Sequence, residues 1–498
     1  MKNQRLVYNT IFSFINQLIT LVCTFVLPRQ ILLYYGSDVN GLISSISQFL
    51  GFIALMQMGV GAVVQSAFYK PLVEKDALQI SKIVKSSQHF FNKLGTLLIF
   101  YVIALCFLYP HFSQSPFSFS FVAPLVVALS INFFAQYYFV LTRQLLLDAD
   151  QRAYISLVLN SFALVLNTVI GVWLIRHHFT IQTVQFSMAL LLLIRPLGIW
   201  WYVRRHYVIY SHVTLTDEPI KQKWNGLAQH VSGFLLSHTD VVLLTIFSTL
   251  NNVSVYSVYY MVVAGIRRFI ATLMTGVHAW FGQLYAANDP SLERKFSFYE
   301  WLLHTAGTFI FSVSGLLIVP FVMLYTHGIN DADYVQPVFG AILLAAYAMY
   351  TIRLPYLTMI LAAGHYKQTQ HISFLEAGLN VLISIIGVQL WGLCGVALGT
   401  FVSMAFCTVG FACYLRKAIL NRPIKYFIKH ILVDGLTVLC IVFTTHWGVR
   451  EVVSYVDWVY MACKIASIGL AEILILNMFF YKHHIAWISN RIMSYIRK

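Results

Sequence analysis

Charge is what this chain has least of. Only 10% of its 498 residues are Asp, Glu, Lys or Arg, where an ordinary soluble chain carries about 25%. With 59% hydrophobic residues and a mean hydropathy of +0.73, that scarcity excludes a water-soluble globular protein and leaves no room for a soluble catalytic domain. Cysteine is sparse too. The seven cysteines (Cys23, Cys106, Cys394, Cys407, Cys413, Cys440, Cys463) sit in apolar stretches without a C-x-x-C pair, so they read as packing residues, neither disulfides nor metal ligands. The seventeen histidines are scattered, and the nearest thing to a ligand pair, His238 with Asp240, points to nearly opposite sides of a helix. No metal and no cofactor is expected.

What the chain has in abundance is long hydrophobic runs. A bilayer-spanning helix needs roughly 20 mostly apolar residues, and hydropathy predicts such helices near 6–34, 39–66, 90–109, 119–141, 154–175 and 181–203. After a polar break, more follow near 224–250, 253–282, 298–325, 334–362, 371–390, 393–415, 427–446 and 456–481. The fold class is therefore all-α, a polytopic membrane protein of about fourteen spans. Span 1 is too long and too polar (Asn16, Gln17, Arg29) for a cleavable signal peptide and is expected to stay in the mature protein.

The formal charge of +15 is mostly a sidedness label. With the N-terminus inside, about 25 of the 33 cations fall on the cytoplasmic side, among them Lys70, Lys75, Lys82, Lys85, Lys93, Arg204, Arg205, Arg416 and Lys417. Only Arg176 and Arg450 fall in opposite loops, and Arg29, Arg195, Arg267, Arg268, Arg353 and Lys464 lie within spans. Both termini are thus expected in the cytoplasm, and nucleic-acid binding is not.

An internal repeat sets the architecture. Ser37-Asp38-Val39-Asn40, opening span 2, corresponds to Asn251-Asn252-Val253-Ser254, opening span 8, and Leu166-Asn167 corresponds to Leu379-Asn380. An offset of about 214 residues equals six helices, a parallel repeat of the kind in which one half rocks against the other. The expected domains are an N-lobe (1–208, spans 1–6), a C-lobe (209–420, spans 7–12) and an accessory pair with tail (421–498). Arg204 to Lys223 would be the interlobe linker.

Ionisable residues in a span cost about 2.5–3.5 kcal/mol on insertion scales and normally face a partner or a wet cavity. Asp240 in span 7 and Arg267 and Arg268 in span 8 reach overlapping depths on antiparallel helices. They read either as a helix-orienting pair or as a cavity wall, and two arginines beside one aspartate leave positive charge for an anion. Arg353 and Glu376 read as a structural salt bridge. Arg29 reads either as a snorkelling side chain or as an outer-cavity anion contact. Lys464, Glu472 and Asp434 belong to the accessory pair and carry no assigned role. Pro28, Pro196 and Pro355 accompany arginines and mark candidate bends.

Uncharged stripes add to this: Asn40, Ser44, Ser47, Gln48 and Gly51 in span 2; Ser156, Asn160 and Asn167 in span 5; Asn225, Gln229 and Ser232 in span 7; Tyr256, Tyr259 and Tyr260 in span 8. Such stripes serve close helix packing or line a cavity suited to sugar hydroxyls.

The stretch Tyr35-Gly36-Ser37-Asp38-Val39-Asn40-Gly41-Leu42 through Gly59-Val60-Gly61-Ala62, and Asp240-Val241-Val242-Leu243-Leu244 followed by Val253-Ser254-Val255-Tyr256-Ser257, resemble the polysaccharide transporter branch of the multidrug/oligosaccharidyl-lipid/polysaccharide exporter superfamily, the capsule and O-antigen repeat-unit flippases. The resemblance implies transport of an undecaprenyl-pyrophosphate-linked oligosaccharide to the outer leaflet of a bacterial cytoplasmic membrane. Its pyrophosphate would meet Arg29, Arg267 and Arg268, and its sugars Gln17, Ser44, Gln48, Asn160, Asn167, Tyr256 and Tyr260. Asp240 would serve coupling or helix pairing. It also implies a monomer among membrane lipids, working beside a polysaccharide polymerase and assembly proteins. The related lipid II flippases carry functional arginines in spans 1, 2 and 8, and span 2 here has none. A drug or cation antiporter of the same superfamily would have twelve spans, and a polymerase or ligase would carry a long outer loop with catalytic charges, which this chain lacks.

Overall fold

The computed structural model describes residues 2–57, 60–113, 116–210, 227–274, 277–445 and 452–486. Among them the regular structure is helical throughout. In chain order the α-helices are α1 (Lys2–Gly51), α2 (Val60–Glu74), α3 (Ala77–Phe112), α4 (Phe119–Ala135), α5 (Leu141–Ala149), α6 (Ala153–Arg176), α7 (Ile181–Leu192) and α8 (Ile194–His206). They continue with α9 (Leu227–Phe247), α10 (Leu250–Leu273), α11 (Val277–Ala286), α12 (Leu292–Tyr325), α13 (Pro337–Ala362), α14 (Tyr366–Ala418), α15 (Lys425–Thr445) and α16 (Tyr455–Phe480). Eleven segments among the described residues are long and apolar enough to cross a membrane, which makes this a multi-pass membrane protein.

Several boundaries differ from the hydropathy pattern for local reasons. Predicted spans 1 and 2 run together as α1, with no loop between them: the chain turns at Gly36 alone (φ 85°, ψ 176°), a conformation open to glycine. Predicted spans 11 and 12 likewise run together as α14, turning at Gly392 (φ 54°, ψ −125°). Predicted span 2 is not one helix to residue 66 but passes through a 3₁₀ stretch, Phe52–Gln57, before α2. Predicted span 3 begins at Ala77 rather than residue 90, capped by Asp76, whose carboxylate accepts from Gln79 N at 2.9 Å. Lys82 and Lys85 therefore ride on a helix instead of a loop. Between α4 and α5 lies a single π-helical turn, Gln136–Val140; Gln88 Nε2 donates to the carbonyls of Tyr137 (3.2 Å) and Tyr138 (3.0 Å) there, supplying partners a bulge needs in an apolar setting. Most of the anticipated interlobe linker, with Asn225, lies outside the described residues, as do the side chains of Gln229 and Ser232.

The chain forms two compact units, Met1–Ser257 with Gly328–Ala332, and Val258–His327 with Asp333–Lys498. In the first, the early part of α1 lies along α6 through three polar contacts seven residues apart. Asn9 Oδ1 accepts from Tyr154 N at 2.9 Å, Asn16 Nδ2 donates to Ser161 Oγ at 2.9 Å, and Cys23 Sγ reaches Leu164 O at 3.7 Å. A seven-residue recurrence keeps one stripe facing a neighbouring helix. Asp150, between α5 and α6, ties this end down. It accepts from Tyr207 (2.6 Å) and pairs with Arg152 (2.8 Å) and Arg5 (3.2 Å). Burial, then the bond to Asp150, pushes the Tyr207 hydroxyl well above the usual phenol range.

The second unit packs α12, α13 and α14 with the C-terminal helices α15 and α16. A Ser454–Asp457 capping box starts α16. Leu439, Phe443, Val456, Tyr460 and Phe479 on the C-terminal pair stand exposed, as side chains facing lipid rather than a core should.

Candidate functional site

The polar stripe of predicted span 2 forms a seam within the first unit. Beyond Gly36, α1 runs beside α9 and the start of α10. Asn40 Nδ2 donates to Ser254 Oγ at 2.8 Å, Ser45 Oγ and Thr245 Oγ1 lie 2.6 Å apart, and the Gln48 amide oxygen bonds the His238 ring. Gly41 permits the approach: a β-carbon there would stand 2.0 Å from the Leu250 carbonyl oxygen. Asp331 closes one end, accepting from Ser37 N and Ser37 Oγ at 2.6 Å each, while its carbonyl accepts from Asn251 Nδ2 at 3.2 Å. Asn40 and Ser254 are equivalent positions in the sequence repeat, as are Ser37 and Asn251. These two sequence-equated pairs meet directly, as Asn40 with Ser254, or share Asp331, as Ser37 and Asn251. Ser44 and Gln48 are half-buried, and Ser47 bonds back to Ile43 O within its own helix.

Asp240 is buried in α9, with Oδ2 accepting from Tyr256 Oη at 2.8 Å. In α1, Gln17 and Arg29 are half-buried. In α6, Asn160 is half-buried and Asn167 buried. The structure brings together Gln48 with His238, and Asp240 with Tyr256, inside one unit.

In the second unit, the Tyr260 ring packs at 5.8 Å against Tyr347, tilted by 57°. Arg267 holds its guanidinium 5.9 Å from the Tyr347 ring and 5.8 Å from Tyr350, whereas Arg268 is exposed. Aromatic faces of this kind attract a cation electrostatically. Arg353 and Glu376 form a buried ion pair, with Arg353 also 4.7 Å over Tyr350. Asn380, the repeat partner of Asn167, is fully buried and donates to Thr400 Oγ1 at 3.0 Å.

A further cluster escaped the sequence reading. Glu300 and His304 on α12 face His430 and Asp434 on α15, with Tyr356 of α13 between them and Arg422 and Tyr481 at the ends of α15 and α16. Glu300 is fully buried and paired with Arg422; His304 Nδ1 lies 2.5 Å from Asp434 Oδ2. The available signal was two four-residue spacings, Glu300/His304 and His430/Asp434, each placing both groups on one helix face.

The fold resembles solved transporter structures over nearly its whole length. One, described as "Lipid II flippase MurJ, inward closed conformation", aligns with a TM-score of 0.67 at 14% identity, covering 96% of this chain and 100% of that one. An inward-facing multidrug resistance MATE family transporter of the MOP superfamily aligns at 0.65 and 16% identity, covering 84% and 98%. The MATE multidrug transporter DinF-BH, solved as a complex, aligns at 0.57 and 15%, covering 83% and 95%. No family model matches, and no curated protein matches by sequence. The chain shares the fold of these solved transporters.

Proposed function

We propose that this chain is a flippase that carries undecaprenyl-pyrophosphate-linked oligosaccharide repeat units from the inner to the outer leaflet of a bacterial cytoplasmic membrane, by alternating access of two six-helix lobes. One observation carries the choice of flippase over drug antiporter. The likeness to the lipid II flippase extends over 96% of this chain, while the MATE likenesses stop at 84% and 83%. The difference, about 60 residues, is the size of the C-terminal pair α15–α16. Dividing α1 at Gly36 and α14 at Gly392, and counting the shorter apolar stretch His238–Phe247, would raise the eleven candidate spans to fourteen; an even number keeps both termini on one side, which the excess of Lys and Arg would make the cytoplasm.

The chemistry of the substrate suits the charges within the spans. A pyrophosphate diester is a strong acceptor for guanidinium groups, and Arg267, beside the Tyr347 and Tyr350 rings, would meet it, with Arg268 and Arg29 as further contacts. Sugar hydroxyls would meet Gln17, Ser44, Gln48, Asn160, Asn167, Tyr256 and Tyr260, and the polyprenyl tail would stay in the bilayer. The seam along α1 is built of uncharged hydrogen bonds, each worth only about 0.5–1.5 kcal/mol net. Breaking a buried ion pair costs about 3–5 kcal/mol. An interface that must open and close is better made of the former, and Arg353–Glu376 better suits a helix pair that stays together.

A lipid II substrate is the second reading, favoured by the first of these likenesses; the lack of an arginine in span 2 weighs against it. Replacing Asp240, or Arg267 and Arg268 together, with alanine is expected to abolish surface polysaccharide export while leaving membrane insertion intact. Normal export from these variants at native expression would contradict the reading.

A further inference from the structure

We propose that the buried chain Asp434–His304–Tyr356–Glu300 is a proton-binding site, which couples protonation to the packing of the C-terminal pair; its use in transport rests on the flippase reading, its existence does not. A count of hydrogens leads to it. Three hydrogen bonds link the four side chains in line: Asp434 Oδ2 to His304 Nδ1 (2.5 Å), His304 Nε2 to Tyr356 Oη (3.0 Å) and Tyr356 Oη to Glu300 Oε1 (2.7 Å). Each bond needs one hydrogen. Two ionised carboxylates supply none, a neutral imidazole supplies one and a phenol supplies one. The geometry therefore holds one proton more than the groups carry in their ordinary states near neutral pH. Placing it on His304 makes an imidazolium that donates at both nitrogens, to Asp434 and to Tyr356, while Tyr356 donates to Glu300. Moving it to either carboxylate reverses bonds along the same line without changing the count.

The charges agree with the count. Arg422 pairs with Glu300 and answers one of the two carboxylates. Among the other groups facing the chain, His430 Nε2 lies 3.7 Å from Glu300 Oε2, and its Nδ1 bonds Tyr481 Oη at 2.7 Å. The His430 ring stacks 4.7 Å from His304, a spacing that disfavours a second imidazolium. Lys429 turns away to the Phe480 carbonyl, and His484 stacks on Trp301. One carboxylate is left for the extra proton to balance. Burial makes that balance necessary, since Glu300 and His304 are at most 1% exposed.

There is also a way in. A small pocket with room for about one water molecule is lined by His304, Thr305, Thr308, His430, Asp434 and Asn477. His304 and Asp434 both border it, and Asp434, with 13% of its side chain exposed, is the more exposed of the two. Protons would enter and leave there, and their passage would loosen or tighten the contact between α12 and α15.

The purified full-length protein in detergent, unfolded thermally between pH 6 and 9, tests this without any substrate. A proton held by the folded state and absent from the unfolded one makes stability fall as pH rises, by up to about tenfold in the folding constant per pH unit. In Asp434→Asn the amide supplies the missing hydrogen, and in Tyr356→Phe the chain is cut so that none is missing. Both variants are expected to lose this alkaline decline relative to wild type. Equal pH profiles in wild type and either folded variant would overturn the proposal. So would stabilisation of wild type, and not of Asp434→Asn, by sodium at fixed pH in place of the pH effect. Should both variants fail to fold, proton release by the wild type on unfolding at pH 8 decides: about one from this site, beyond the release calculated for its other groups, supports it, and none overturns it. A lipid-linked substrate that is not transported would count against the flippase reading alone.

Discussion

Gly41 has no room for a side chain, because a β-carbon would meet the Leu250 carbonyl oxygen at 2.0 Å. Gly41→Ala must therefore part α1 from the start of α10, and it is expected to cut transport at least tenfold while the protein still inserts; a vesicle assay normalised to membrane protein checks this. Arg267, against the Tyr347 and Tyr350 rings, is expected to tolerate lysine poorly, since an ammonium keeps the charge but not the planar, two-pronged donor a phosphate prefers. Outside the spans, Asp289 accepts from the Ser291 hydroxyl and backbone N–H and from Lys295, which holds its carboxyl down at about 2. A carboxylate depressed by folding stabilises above its unfolded value, about 4, and loses that contribution as pH falls towards the folded one. The difference in thermal midpoint between wild type and Asp289→Asn, present at pH 6, should accordingly close between about pH 4 and pH 2.

Among the elements, the long hydrophobic runs were legible in the sequence because burial in lipid demands a composition that hydropathy reads directly. Their ends were not, because a one-residue turn at Gly36 or Gly392 leaves no polar loop to notice, and α3 extends into a basic segment that composition reads as a loop. The pairing of Arg353 with Glu376 followed from depth alone. The seam was only half legible: Asn40 and Gln48 stood out, but Ser45 and Thr245 look like ordinary small packing residues until the helices meet. The Glu300–Tyr356–His304–Asp434 chain stayed hidden because its members come from three helices distant in sequence, α12, α13 and α15. Two measurements belong at this scale. Glu376→Ala, which strands Arg353 in an apolar site, is expected to cost about 3–5 kcal/mol, whereas replacing both residues with methionine should cost far less; thermal unfolding in detergent separates them. Ser45→Cys with Thr245→Cys, at positions whose oxygens lie 2.6 Å apart, should cross-link on oxidation and arrest transport until reductant is added, with the single variants unaffected.

For the molecule as a whole, a basic and predominantly apolar chain would divide its charge into three uses. On the proposed topology most cations would mark the cytoplasmic face; Arg353 and Arg422 form buried ion pairs with Glu376 and Glu300; and Arg29, Arg267 and Arg268 are proposed to meet an anionic headgroup. Reconstitution into liposomes carrying purified undecaprenyl-pyrophosphate-linked oligosaccharide measures the central claim most directly. Wild type should move the glycan to the opposite leaflet without changing its length, and the Arg267→Ala, Arg268→Ala double variant should not. Growth of the glycan, or equal transfer by the double variant and wild type, would contradict it.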